Sequence, residues 1–179
     1  MMQKNLYTIN SICSLIVLLI LSGAFFFQFG LGEEPCPLCL LQRMAMLGMV
    51  FGISLNTWYG FKKEHFSVVI VSALVGVTFS IRQVLLHIAP VVGEPTGYGT
   101  AVLGMHLYTW AALVFAASIL GSAILLALVK EEDNSERVPD TFEKNVFYFA
   151  IFICAANLVA AFFECGLGPC CENGPCLIT

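Results

Sequence analysis

The chain predicts an all-α, polytopic membrane protein: a four-helix transmembrane bundle with a fifth span added. Three observations lead there. Of 179 residues, 59% are apolar and only 11% are charged, against about a quarter charged in an average soluble domain. The apolar residues fall in blocks long enough to cross a bilayer, which takes about 20 residues each. Every basic residue outside those blocks then falls on one side of the resulting topology.

The first block, residues 9–30, is longer than the roughly 7–15 apolar residues of a cleavable signal. It ends in Phe25-Phe26-Phe27-Gln28-Phe29, a poor cleavage context, and reads as an uncleaved span. Residues 40–60 and 66–90 form the second and third blocks, the latter closed by Pro90. The fourth covers residues 104–129. The fifth, residues 146–163, is the shortest and carries Asn157. A division follows into a four-span bundle over residues 1–144, its N-terminus cytoplasmic, and a fifth span with a Cys-rich outer tail over residues 145–179.

Charge placement sets the orientation. Lys4, Lys62, Lys63, Lys130, Arg137 and Lys144 all lie on one side of a five-span topology, as the positive-inside rule requires of the cytoplasmic face. The opposite side holds residues 32–37, the turn-rich loop 91–103 and the tail after Glu164, and has no basic residue. Six cysteines (Cys36, Cys39, Cys165, Cys170, Cys171 and Cys176) fall on that outer side, where disulfides persist. Cys13 and Cys154 lie within spans and read as small buried hydrophobes.

The chemistry concentrates in Cys36-Pro37-Leu38-Cys39-Leu40-Leu41-Gln42-Arg43, a hinge between spans one and two. Two cysteines at this spacing suit reversible thiol–disulfide exchange. Cys36 falls at the N-cap of the second span and Pro37 at its first helical position, where proline is favoured; the helix N-terminus stabilises a nearby thiolate. Glu33 and Glu34 oppose this but read as exposed and screened. Arg43 lies four residues past Cys39 and so shares its helix face. A charge in lipid is costly, roughly 2.5–3.5 kcal/mol at a helix centre, and a guanidinium there favours a thiolate or a negatively charged acceptor. A purely structural disulfide, half of a metal site, or an arginine snorkelling to the surface are the plainer readings of the same residues.

Making a disulfide releases two electrons, and no dinucleotide fingerprint or haem-attachment motif is present to take them. A lipid-soluble quinone needs no motif, only an apolar pocket, a cation and a hydrogen-bond donor. Arg82, Gln83 and His87 near the outer end of span three, with His106 opening span four, are candidate walls. Gln83 and His87 share a face.

These residues resemble the disulfide bond formation protein B (DsbB) family of bacterial inner-membrane thiol oxidoreductases. The resemblance covers roughly residues 31–129: the hinge with its Leu-Leu-Gln-Arg continuation, then Arg82-Gln83 and Pro90. It implies a four-helix bundle with its active face periplasmic, reoxidising a thioredoxin-fold dithiol oxidase and passing electrons to diffusible ubiquinone or menaquinone. The thiolate–quinone contact maps to Cys39, the stabilising arginine to Arg43, and the third-span quinone contact to about Gln83. No resident metal and no nucleic-acid partner are expected. Well-known members carry a second cysteine pair between spans three and four, and here that loop has none. Two of Cys165, Cys170, Cys171 and Cys176 could replace it as a shuttle. The alternative is a stapled cap or metal knot, in a non-enzymatic membrane scaffold or metal-binding protein.

Overall fold

The computed structural model describes residues 2–33, 36–89, 99–128, 138–166, 170–171 and 174–175. Five long helices make the fold. They are α1 (Met2–Phe25), continued by a π-helical turn at Phe26–Gly30, α2 (Pro37–Tyr59), α3 (Lys63–Ile88), α4 (Leu107–Leu128) and α5 (Thr141–Cys165). All five are long and apolar enough to cross a membrane. Two short antiparallel hairpins complete the described elements: β1 (Ala101–Val102) with β2 (Met105–His106), and β3 (Cys170–Cys171) with β4 (Gly174–Pro175). The all-α polytopic class stands.

Helix limits differ from the hydropathy blocks for local reasons. Pro37 at the first helical position starts α2 three residues ahead of the block at Leu40. Asp140 and Glu143 form a capping box that starts α5 at Thr141, so a boundary at residue 144 falls inside its first turn. Gly104 and His106 belong to the first hairpin rather than to α4. Its two-residue turn, Leu103-Gly104, takes positive φ at both positions (52° and 79°), which suits a tight hairpin turn. Most of loop 91–103, and Lys130 and Arg137, lie outside the described residues.

Helix α2 is central: half of its most apolar window is buried, against 28% or less in the other four spans. It packs on α3, α1 and α5, while α3 also carries α4. Leu18, Leu21, Met49, Ala73 and Phe115 form the sealed centre. Leu19, Phe51, Val71, Leu120 and Phe152 point outward, where lipid rather than water is the solvent the composition demands. Cys13 corrects the sequence reading, since its thiol is exposed on α1 rather than buried, whereas Cys154 is half-buried on α5.

Polar side chains knit the end opposite the hinge. Asn10 Nδ2 donates to Ile53 O and to Thr57 Oγ1, both at 3.0 Å. His65 Nδ1 lies 3.1 Å from Asn56 Oδ1. Buried amides satisfied this way lock helix register where apolar contacts alone would slide. Asn157, the polar residue of the fifth span, donates to Ile153 O of its own helix, 2.9 Å away.

The α3–α4 contact depends on a missing side chain. A Cβ at Gly76 would lie 2.2 Å from the Phe115 ring, which is fully buried. Gly76→Ala is expected to cost about 1–3 kcal/mol by overpacking, read as a lower melting temperature of the purified protein in detergent. An unchanged melting temperature would mean that the two helices separate freely there.

Candidate active site

The hinge dithiol sits where the local sequence puts it. Cys36 is the N-cap of α2 and its sulfur accepts from Cys39 N at 3.2 Å. One helical turn brings the two sulfurs to 2.7 Å, and both are free cysteines. The hydrogen bond to Cys39, reinforced by burial, holds the Cys36 thiol above its ordinary range.

Helix α3 supplies the sulfurs' polar partner but does not itself line the adjoining cavity. Gln83, 1% exposed, places Nε2 3.2 Å from Cys36 Sγ and 3.4 Å from Cys39 Sγ. Its amide is turned that way by Gln42, whose Nε2 donates to Gln83 Oε1 at 2.7 Å. The carboxamide so pinned brings its donor closest to the sulfurs, while its oxygen accepts from Cys39 Sγ at the longer distance of 3.8 Å; the donor stabilises a thiolate.

Arg43 is oriented from α1. Its guanidinium donates to Gln28 Oε1 at 2.5 Å and to Ala24 O at 3.1 Å, and lies 5.6 Å from the centre of the Phe25 ring. Gln28 belongs to the π-helical turn, whose wider winding carries this residue inward between exposed Phe26 and Phe29. Gln28 Nε2 in turn donates to Glu164 Oε1 on α5 at 2.8 Å. Arg43 interacts electrostatically with Cys39, Cys36 and Glu164.

A cavity of about 500 Å³ opens beside these groups, well within the range of small-molecule sites. Cys36, Cys39, Arg43 and Gln28 line it together with Tyr108 and Trp110 of α4. It lies between α1, α2 and α4, and a separate cavity of about 290 Å³ lies nearer the opposite end, with Val114 lining both. Glu33 also lines the larger cavity. It accepts from the Thr100 backbone N at 3.0 Å and from the Thr100 hydroxyl, so it is engaged rather than free in solvent.

The other expected walls stand apart. Arg82 is exposed on α3. His87 does not line the cavity. It joins a ring cluster with His106, centroids 4.9 Å apart, and with Tyr108 at 6.0 Å. In the tail, Cys165 is disulfide-bonded; Cys176 and the side chains of Cys170 and Cys171 lie outside the described residues. Among the described residues no cluster of three or more His, Cys, Asp or Glu is placed to hold a metal.

A buried dithiol at a helix N-cap, with a guanidinium and an apolar cavity beside it, matches a known family by sequence as well. The profile described as "Disulfide bond formation protein DsbB" matches residues 7–96, half of the chain. The chain belongs to the DsbB family. Among relatives, it is 30% identical to Disulfide bond formation protein B of Pseudomonas syringae pv. tomato, the alignment covering 59% of this chain and 80% of that one. It is 30% identical to Disulfide bond formation protein B 1 of Pseudomonas savastanoi pv. phaseolicola, covering 64% and 84%. It is also 37% identical to Disulfide bond formation protein B 1 of Pseudomonas putida, over 44% of this chain and 48% of the relative. No solved structure matches significantly. DsbB-family membership supports an oxidoreductase role in disulfide generation.

Sequence reasoning singled out Cys36, Cys39, Arg43 and Gln83 as candidates, which the structure brings close together, but gave no role to Gln28, Gln42 or Glu164. Gln42 stood inside the quoted motif. A polar residue in an otherwise all-phenylalanine stretch was the available signal for Gln28.

Proposed function

We propose that this DsbB-family protein is a thiol:quinone oxidoreductase, generating disulfides at the periplasmic face of a bacterial inner membrane and passing the electrons to a lipid quinone. The observation that carries this reading is one apolar cavity lined by both sulfurs and by Arg43, set between α1, α2 and α4. A quinone ring fits such a space. The quinone, ubiquinone or menaquinone, supplies an acceptor for two electrons and two protons.

The chain's own groups divide the work. A dithiol donor, by this reading a periplasmic thioredoxin-fold oxidase in its reduced form, sends a thiolate against the Cys36–Cys39 disulfide. Attack on Cys36 leaves a mixed disulfide and expels Cys39 as thiolate. Gln83 Nε2 sits in place to stabilise that leaving sulfur, and Arg43 adds positive charge. The donor's second thiol then releases Cys36, and the reduced pair returns two electrons and two protons to the acceptor as its disulfide re-forms. His87 belongs to this outer layer through its contact with Tyr108.

Two of the tail cysteines could relay electrons to Cys36 in place of the pair missing from loop 91–103. Cys165 is held in a disulfide, so it is not a thiolate ligand for the metal-carrier reading.

The test is anaerobic quinone reduction by the purified chain in lipid nanodiscs, with a reduced thioredoxin-fold protein as donor. One quinol should form per donor disulfide made. Donor oxidation without quinol would overturn the proposed acceptor.

A further inference from the structure

We propose that Glu164, in the last turn of α5, is a positioning residue for Arg43, acting through Gln28. The proposal rests on the quinone-reducing reading and extends it to a helix outside the matched segment, which ends at residue 96. Three side chains from three helices form one line. Arg43 donates to Gln28 Oε1, and Gln28 Nε2 donates to Glu164 Oε1.

The chemistry of each end makes that line directional. A guanidinium can only donate, and an ionised carboxylate can only accept. A carboxamide between them has one orientation that satisfies both, oxygen toward Arg43 and nitrogen toward Glu164. With Glu164 removed, Gln28 is anchored at one end only, and its side chain regains rotamers that carry the oxygen away from Arg43. The guanidinium then keeps Ala24 O and the Phe25 ring, neither of which fixes its rotation toward the cavity.

The carboxylate also bears on charge. Arg43 is a half-buried cation among apolar helices, and an uncompensated charge there is costly. Among the described residues, Glu164 reaches it through a hydrogen bond on each side of one amide. Gln28 is 6% exposed, so water competes little for these bonds.

A double-mutant cycle on the full chain tests this, with dithiothreitol as the dithiol donor and a short-tail ubiquinone analogue as acceptor. Glu164→Ala should raise the quinone KM roughly tenfold, the scale of one charge-assisted hydrogen bond, while changing kcat much less. Glu164→Gln retains an acceptor oxygen and should recover most of the loss. Gln28→Ala should raise KM at least as much as Glu164→Ala, and the double variant should be no worse than Gln28→Ala alone. Additive losses, or a wild-type KM in Glu164→Ala, would overturn the proposal. So would a KM change that tracks a fall in melting temperature and persists in Glu164→Gln, since that marks a packing role. Absence of quinone reduction by the unaltered chain would sink the functional reading first and this proposal with it.

Discussion

Cys39→Ala should lower quinone reduction at least about a thousandfold, the order seen when the nucleophile of a covalent mechanism is removed. Gln83 Nε2 addresses Cys36 and Cys39 together, and without Cys39 the Cys36–Cys39 disulfide cannot form. Given a disulfide to attack, in the tail or in the donor supplied in its oxidised form, Cys36 of the same variant should accumulate as a mixed disulfide, because Cys39, the thiol that would resolve it, is gone. Mass spectrometry of the trapped species identifies its origin. A bond to Cys170, Cys171 or Cys176 makes the tail a relay, whereas a bond only to the external donor leaves the tail outside the reaction. Residual turnover above about a tenth of wild type would remove Cys39 from the electron path altogether.

Arg43→Leu should have the next largest effect, a loss of roughly a hundredfold in kcat/KM for quinone, comparable to deleting one preorganised donor from a charged transition state. Arg43→Lys should recover little of it. A lysine carries the charge but cannot reach Gln28 Oε1 and Ala24 O together with a planar fork. Leucine is also cheaper than arginine in lipid, so the variant should fold at least as well as the parent. Lost activity in a protein of unchanged or raised melting temperature is therefore the expected pair of results. A kcat/KM within a factor of about two of wild type would exclude the guanidinium from the acceptor site.

Much of this was legible in the sequence because the governing physics is local. Hydropathy over about twenty residues marks a span. A cysteine followed by proline marks a helix start, and four-residue spacing puts Arg43 on the face of Cys39. The rest reaches across the chain. Gln42 meets Gln83 over 41 residues, Gln28 meets Arg43 over 15, and Glu164 meets Gln28 over 136. No spacing rule connects such pairs. The misplaced Cys13 has a different cause: in α1 the polar Asn10, Ser11 and Ser14 are buried while Ile9, Ile12 and Ile16 are exposed, so an apolar side chain there marks the face toward lipid rather than a core.

The widened turn at Phe26–Gly30 carries an implication for how this region can change over generations. Its looser winding takes up a residue that an α-helix of the same rise would not hold, and each residue advances a regular helix by about 100°. Shedding one letter there would swing Gln28 off its bearing while leaving the hydropathy of the stretch untouched. Neighbouring phenylalanines can be traded for other greasy side chains. What inheritance has to conserve in this stretch is the tally of positions more than their spelling.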